Sequence, residues 1–358
     1  MPAPVRVLVV GLGNMGLSHA RAYRAIDGFE IVGLCSRGIA ERPEIARELP
    51  GIRQFSDYAE ALTTLKPDAV SINTWPDTHE AYAKMAFAAG AHVFLEKPLA
   101  GTVKGAEEVV AASKAAGRKL VIGYILRVHP SWVRFIELGR TLGKPLVMRM
   151  NLNQQSAGAN WQVHKHLMDT ISPIVDCGVH YVDVMCQVTG ARPVKVHAIG
   201  ARLTDELKAG MYNYGHLQVT FNDGSVGWYE AGWGPMMSEV AFFVKDMVGP
   251  KGCVSIVAAE TNAGMASADI DSHTKTSAIR LHHAALTADG SFARADEVLR
   301  MDDEPGHQEL CEREQRLFLR AIREDMDMSA HLADAISSLR IVLAADESVR
   351  TGEVVRLG

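Results

Sequence analysis

The amino-acid sequence predicts an α/β protein: a doubly wound parallel sheet in the N-terminal third, then an α+β half with a large, mostly antiparallel open sheet. Three observations carry this expectation. Up to residue 124, short apolar runs alternate with amphipathic helical stretches, the texture of parallel strands covered on both faces. Beyond residue 144, strand-like segments succeed one another with turn signals such as Asn222-Asp223-Gly224 and few helices between them, as antiparallel neighbours do. Between the first strand and the first helix lies Gly11-Leu12-Gly13-Asn14-Met15-Gly16, with the spacing of a dinucleotide-binding turn.

The first strand is 5–10, a continuous apolar run, and a helix follows over 15–26. A strand at 31–35 and a polar helix near 40–49 come next. Strands at 69–72, 92–95 and 120–124 are separated by helices over 78–89 and 103–116. In the second half, strands are expected at 146–152, 194–201, 215–221, 225–231, 240–244 and 254–257, interrupted by one helix over 173–188. Helices over 308–323 and 331–349 finish the chain, and no internal repeat or low-complexity segment appears. These textures give a cofactor domain over 1–124 and a substrate-binding and oligomerisation domain over 125–358. The junction falls near 124–144, and the C-terminal helices are free to pack back on the first domain.

Composition narrows the function. At 358 residues there is room for about two domains, and 47% apolar with 22% charged residues is ordinary for a soluble globular protein. A net charge of −5 leaves no basic footprint, so nucleic acid is not an expected partner. No apolar stretch is long enough to span a bilayer, and Met1-Pro2-Ala3-Pro4 runs straight into a strand without a signal-peptide pattern. The expectation is a cytoplasmic protein with no membrane partner. Cys35, Cys177, Cys186, Cys253 and Cys311 are scattered, odd in number and without a C-x-x-C pair, against a disulfide framework or structural zinc. Each reads as a small buried hydrophobe, with a reactive thiol as the lesser alternative.

The glycine turn sits where a Rossmann fingerprint belongs. Gly11 allows the tight turn, Gly13 lets the backbone approach a pyrophosphate, and Gly16 lets the helix pack closely on the strand. The helix start, with Asn14 and Met15, offers free N–H groups and the positive end of a dipole. At the end of the second strand an NAD enzyme usually has Asp or Glu; this chain has Cys35-Ser36-Arg37. A hydroxyl and a guanidinium suit a 2′-phosphate, so NADP is favoured over NAD. A solvated surface arginine is the other reading of Arg37.

Two further segments carry candidate chemistry. Glu96-Lys97-Pro98 follows the strand at 92–95, at the carboxyl edge where open α/β sheets bind ligands. A lysine there can stabilise a developing alkoxide or polarise a carbonyl, and Pro98 is a candidate for a cis bond. The plainer alternative is a surface ion pair between Glu96 and Lys97. On the 173–188 helix, Asp176, His180 and Asp183 fall at i, i+4 and i+7, one polar stripe beside the apolar stripe of Val175, Val179, Val182 and Cys186. Carboxylates near His180 can tune it for proton transfer, but spacing alone favours a helix-surface histidine with carboxylate neighbours.

Together these segments resemble the glucose–fructose oxidoreductase / inositol dehydrogenase / MocA (Gfo/Idh/MocA) family over nearly the whole chain. The resemblance rests on GLGNMG, Thr74-Trp75-Pro76-Asp77-Thr78-His79, the Glu96-Lys97-Pro98 tripeptide, Gly123-Tyr124-Ile125-Leu126-Arg127, the D-x-x-x-H of Asp176 and His180, and Asp346-Glu347-Ser348 with Gly352. It implies a Rossmann half and an α+β half whose open sheet packs against a partner subunit, in a homodimer or homotetramer. It implies hydride transfer between nicotinamide and a secondary alcohol or ketone of a sugar, sugar derivative or cyclitol. His180 would be the acid/base, Lys97 would polarise the oxygen, and Asp176 would orient His180 or a neighbouring hydroxyl. Gly11, Gly13, Asn14, Met15, Gly16, Ser36, Arg37, Thr74, Pro76, His79, Glu96, Lys97 and Pro98 would surround the cofactor. Lys97, Arg127, His164, His166, Asp176 and His180 would meet the substrate.

The chain departs from the family in one place. Many members carry a glycine-rich turn before the D-x-x-x-H helix, where this chain reads His164-Lys165-His166-Leu167-Met168-Asp169-Thr170-Ile171-Ser172-Pro173. That segment is expected to border the substrate, with its histidines either touching a hydroxylated or anionic ligand or simply sitting on a loop. His164, His166, Asp176 and His180 could ligate a metal, but the spacing is not that of a zinc helix and a nicotinamide enzyme needs no Lewis acid, so no metal is expected. An NAD-recycling glycosidase working by oxidation and elimination would use the same residues. A cofactor-sensing regulator without chemistry is the non-enzyme alternative, and the joint presence of Lys97, Asp176 and His180 weighs against it. No tyrosine is followed four residues later by lysine, so the short-chain Tyr/Lys mechanism is absent.

Overall fold

The computed structural model describes residues 2–238, 244–257 and 276–358. The chain forms two compact units: Met1–Ile125 with Gly306–Ile336, and Leu126–Pro305 with Ser337–Gly358. The late segment Gly306–Ile336 thus belongs with the N-terminal unit.

The first unit contains a six-stranded parallel sheet of β1 (Val5–Val10), β2 (Phe29–Cys35), β3 (Gln54–Phe55), β4 (Ala69–Ile72), β5 (His92–Glu96) and β6 (Leu120–Gly123). Their order is β3-β2-β1-β4-β5-β6, the Rossmann order, in which the chain reverses direction across the sheet between β1 and β4. Val7, Leu8, Val9, Val70, Val93 and Phe94 are fully buried, as strands covered on both faces must be. Helices Asn14–Ala25, Pro76–Ala88 and Val103–Ala116 return the chain between strands. Thr102 caps the last of these by accepting from Gly105 N at 3.0 Å, and Gly117 ends it in the left-handed region at φ 60°.

The second unit is built on a nine-stranded sheet of β7 (Val147–Gln155), β8 (Pro193–Ala201), β9 (Tyr214–Phe221), β10 (Val226–Gly234), β11 (Lys245–Gly249), β12 (Gly252–Val257), β13 (Ala278–His283), β14 (Glu297–Arg300) and β15 (Val355–Arg356). Its order is β14-β13-β12-β11-β7-β10-β9-β8-β15, antiparallel throughout except for the β7–β10 pair. Side chains alternate along β9 and the first halves of β7 and β10. Met148, Met150, Leu217, Val219, Tyr229 and Ala231 are buried, while Val147, Gln218 and Val226 on the other face are exposed, the period of two of a sheet packed on one side.

The structure differs from the sequence expectation in several elements. The junction region holds a helix, Pro130–Thr141, with Trp132, Phe135 and Ile136 buried. A second unexpected helix is Gly158–Leu167. The strand expected at 240–244 lies outside the described residues except for Val244, and the described strand there is β11. The helix expected over 173–188 is two: Pro173–Asp176 and Gly178–Thr189. Around Cys177 the ladder tightens, His180 N bonding Cys177 O three residues back at 3.2 Å. Gly178 is needed beside this break, because a Cβ there would lie 2.8 Å from the buried Tyr229 ring.

Arg127 and Asp183 anchor the second of these helices: the guanidinium donates through Nε to Oδ2 at 2.8 Å and through Nη2 to Oδ1 at 2.5 Å. The two side chains are 11% and 2% exposed. Removing one partner of such a pair leaves a buried charge, so Asp183→Ala is expected to destabilise by about 3–5 kcal/mol. Arg149→Ala, which breaks a bidentate pair with Asp246 from a side chain 42% exposed, is expected to cost no more than about 1 kcal/mol. Urea denaturation midpoints of the two variants check this; equal losses would contradict it.

Candidate cofactor and active site

In the first unit the glycine turn is pinned to its neighbours. Gly11 N donates to Cys35 O and Asn73 N to Val10 O, each at 2.8 Å, so the turn stands where β1 and β4 diverge. Gly11 has φ +80°, and a Cβ on it would lie 2.5 Å from Asn73 O. A Cβ on Gly16 would lie 1.8 Å from Gly11 O, so helix and turn touch backbone to backbone. At Gly13 a Cβ would meet nothing within 4 Å; this is the open side. Gly13 is also the N-cap of helix Asn14–Ala25, with no side-chain cap and no acidic residue in the first turn. The positive end of the helix is left to an anion, and the residues fit a dinucleotide pyrophosphate.

Ser36 is half-buried and Arg37 exposed just past β2. Cys35 is buried and its thiol is pushed up to about 11, mostly by that burial; it is a core residue. A residue the sequence reading missed is Arg42, whose Nη1 donates to Leu12 O at 2.5 Å. Six residues beyond Ser36, it carries no motif of its own, yet the turn after β2 brings its guanidinium to the glycine loop.

The Thr74 and Thr78 hydroxyls bond each other at 2.6 Å, and buried Pro76 starts the following helix. His79 is fully buried, with Nδ1 2.7 Å from Pro98 O and Nε2 3.0 Å from Thr74 O. Burial lowers its pKa, against the pull of the two carbonyls, and a neutral ring has one N–H for the two of them. Glu96 is 6% exposed, so it is not half of a surface ion pair. Its Oε1 lies 2.7 Å from His19 Nε2 and its Oε2 accepts from Lys97 N at 3.1 Å. The Lys97–Pro98 peptide is cis and Lys97 is half-buried. On helix His307–Arg323, Gln315 Nε2 lies 2.9 Å from His19 Nδ1. The adjacent Glu314 is buried, and among the described residues neither of its carboxyl oxygens has a hydrogen-bond partner. Burial first, and then the Glu96 charge, hold that carboxyl well above the usual range.

In the second unit, Ser172 starts the Asp176 segment. Its hydroxyl accepts from Val175 N at 3.2 Å and donates to Asp346 Oδ1 at 2.6 Å, where the Tyr212 hydroxyl also donates. Asp176 is buried and His180 half-buried, one turn apart across the Cys177 break. Cys177 Sγ lies 3.6 Å from both Asp176 Oδ2 and Gln154 Oε1. Asp183, the third member of the expected stripe, is taken up by Arg127 and by Gln187 Nε2 at 2.9 Å. Arg127, expected at the substrate, is also the residue that holds Asp183 on the His180 helix.

The two histidines expected on a loop lie on helix Gly158–Leu167 and part company there. His164 stacks on Trp233 with centroids 4.4 Å apart and bonds the Ser156 hydroxyl at 2.9 Å. Burial lowers its pKa to about 4 against the opposing charge of Asp176. Trp233 Nε1 in turn donates to Gln154 Oε1 at 2.8 Å. His166 is exposed, 3.5 Å from Asp169. Gln154, Ser156, Trp233 and Lys245 are the residues near this site that no motif signals. Lys245 is buried with its amine 5.6 Å from the Tyr181 ring centroid, and burial brings its pKa down to about 7.

Residues 5–124 match the model of an oxidoreductase family with an NAD-binding Rossmann fold, and residues 136–244 match the GFO/IDH/MocA C-terminal domain. Inositol 2-dehydrogenase of Paracoccus denitrificans is 30% identical over 185 residues, 51% of this chain and 53% of that protein. UDP-N-acetylglucosamine 3-dehydrogenase of Acidithiobacillus ferrooxidans is 32% identical over 223 residues, 62% of this chain and 65% of the relative. The match thus spans between half and two thirds of these relatives. A solved oxidoreductase from Agrobacterium radiobacter in complex with NAD+, L-tartaric acid and magnesium aligns with 99% of this chain and 98% of its own, at TM-score 0.75 and 16% identity. At that identity the likeness is one of fold.

The Glu314 carboxyl gives a pH prediction. Its folded pKa is raised, so between about 4.3, the unfolded value, and the raised value the native state holds more protons than the unfolded one. Stability then falls as pH rises through that window. Glu314→Gln cannot ionise and is expected to show a shallower fall in Tm between pH 5 and 9. Parallel slopes in the two proteins would rule out the raised carboxyl.

Proposed function

The chain belongs to the Gfo/Idh/MocA family of oxidoreductases, and from that premise we propose that it transfers hydride between a nicotinamide dinucleotide and a secondary alcohol or ketone of a sugar, sugar derivative or cyclitol. The observation that carries the reading is Lys97, set on a cis turn at the carboxyl end of β5 in a sheet whose glycine loop fits a dinucleotide. The nicotinamide, when bound, accepts or supplies the hydride, and the remaining work falls to the chain's own residues. Lys97 hydrogen-bonds the reacting oxygen and stabilises negative charge developing on it. His180 takes the hydroxyl proton in oxidation and returns it in reduction. Asp176 orients His180. His164, kept neutral, offers an uncharged hydrogen-bonding edge toward substrate hydroxyls, His166 stands at the outer rim, and Arg127 acts through Asp183.

The cofactor reading favours NADP. Ser36 and Arg37 stand where a 2′-phosphate would lie, and Arg42, tied to the glycine loop, adds a second guanidinium beside it. Thr74, Pro76, His79 and Pro98 shape the rest of the cofactor's bed, the His79 ring lying between the Thr74 and Pro98 carbonyls. The open face of the nine-stranded sheet, with Val147, Ile199, Val226 and Val248 exposed, is proposed to pair with a second copy in a homodimer or homotetramer. A cytoplasmic setting is in keeping with this chemistry.

A panel of sugars and cyclitols, each with NAD and NADP and followed at the absorbance of the reduced nicotinamide, tests the reading. Lys97→Ala and His180→Ala are each expected to lower kcat by about 10²–10⁴-fold while cofactor Kd stays within about threefold. Full turnover in either variant would end the assignment. Arg37→Ala and Arg42→Ala are expected to raise KM for NADP by about tenfold or more and to change KM for NAD much less; equal effects would remove the phosphate contact.

A further inference from the structure

We infer that two buried histidines, His19 and His79, are positioning residues for Lys97, gripping Glu96-Lys97-Pro98 from its two sides and so fixing the root of the Lys97 side chain. The inference rests on the role proposed for Lys97, and it is carried by hydrogen bonds within the first unit.

On the Glu96 side the bonds form a chain. A carboxylate only accepts, so His19 Nε2 donates to Glu96 Oε1 at 2.7 Å. The other ring nitrogen then accepts from Gln315 Nε2 at 2.9 Å, and Glu96 Oε2 takes the N–H of Lys97 at 3.1 Å. His19 and Gln315 are fully buried, so no water competes for these bonds. On the Pro98 side, His79 faces the Pro98 carbonyl at 2.7 Å and, across its ring, the Thr74 carbonyl at 3.0 Å. Both residues flanking Lys97 are thus tied to rings inside the core, one to helix Asn14–Ala25 and one to helix Pro76–Ala88. Lysine has a flexible four-carbon stem, and an amine that must meet one oxygen gains most from a backbone that does not move.

A different use of His19 would be as a metal ligand, since ligand atoms of His19, Cys311 and Glu314 lie within 4.8 Å of one another. Both His19 nitrogens are already engaged. Burial also favours the protonated forms of the Cys311 thiol and the Glu314 carboxyl, and metal ligands must be deprotonated.

The test uses the full chain with its lysines reductively methylated with ¹³C, the Lys97 dimethylamine resonance being assigned by its loss in Lys97→Arg. His19→Leu and His79→Leu are expected to move or split that resonance. His19→Gln, which keeps a donor near the Nε2 position, and His79→Asn, which keeps one near Nδ1, are expected to restore it. Gln315→Leu, removing only the far end of the chain, is the milder variant and is expected to move the resonance in the same direction as His19→Leu. On any substrate of the panel, His19→Leu is expected to lose about 10–100-fold in kcat with cofactor Kd within about threefold, and His79→Leu, which lies in the cofactor's bed, is expected to lose as much in kcat at saturating cofactor. A Lys97 resonance that stays put while Tm falls would make both histidines merely structural and overturn the inference. So would one equivalent of tightly bound metal lost in His19→Gln. Lys97→Met with full turnover would instead overturn the proposed function and leave the resonance result standing.

Discussion

A carboxylate buried at the carboxyl end of β5 sets much of the first unit. Left without donors, a charge so placed costs several kcal/mol, and Glu96 is satisfied by the His19 ring and the Lys97 N–H. To deliver that ring, helix Asn14–Ala25 has to lie against the sheet, which needs Gly16 to touch Gly11. To occupy the ring's other nitrogen, Gln315 has to come from a helix nearly three hundred residues on, at a sequence separation of 296. The requirement of one carboxylate therefore joins the glycine loop, the lysine turn and a late helix. It also gives a physical reason why Gly306–Ile336 belongs with the N-terminal unit.

Much of that unit was legible in the sequence because its strands are continuous apolar runs and its turn needs three glycines at fixed spacing. The pieces that escaped have weak local signals. β3 is two residues long, too short for a pattern. In the second unit, helix Pro130–Thr141 carries an apolar stripe in Trp132, Phe135 and Ile136 within a segment that reads as a domain junction. The break at Cys177 depends on how closely Gly178 approaches Tyr229, a tertiary contact that helical periodicity does not encode. Arg42 and Lys245 belong to no motif, and only the folded chain brings one to the Leu12 carbonyl and the other beside the Tyr181 ring.

The second unit follows a different logic. Its sheet buries one face by alternation along much of β9 and the first halves of β7 and β10, and the segment carrying Asp176 and His180 is held by groups distant in sequence: Ser172 by Asp346, which Tyr212 also bonds, and Asp183 by Arg127. Sequence spacing put Asp176, His180 and Asp183 on one stripe; the fold gives the third of them a supporting role. It likewise separates His164 from His166, which spacing had joined, stacking the first on Trp233 and leaving the second exposed. Local pattern identified the elements, and long-range hydrogen bonds decided what each polar side chain on them does.

Burial also sorts the titratable groups, and that sorting bears on which of them can move protons. Burial favours uncharged forms: it brings the His164 ring down to about 4, pushes the Cys35 thiol up to about 11, and raises the Glu314 carboxyl well above the usual range. Lys245, brought to about 7, has a favourable pKa but is buried beneath Tyr181. His19 and His79 are buried with both nitrogens facing partners. A group that exchanges a proton with a substrate must reach it as well as titrate, and Lys97 and His180 are both half-buried. Each stands next to a buried carboxyl-bearing residue, Glu96 or Asp176, in a backbone fixed from the core. The case for Lys97 over Lys245 thus rests on access combined with fixed geometry, since a pKa near 7 alone would have chosen Lys245; His164 is half-buried like His180, but burial brings its pKa down to about 4.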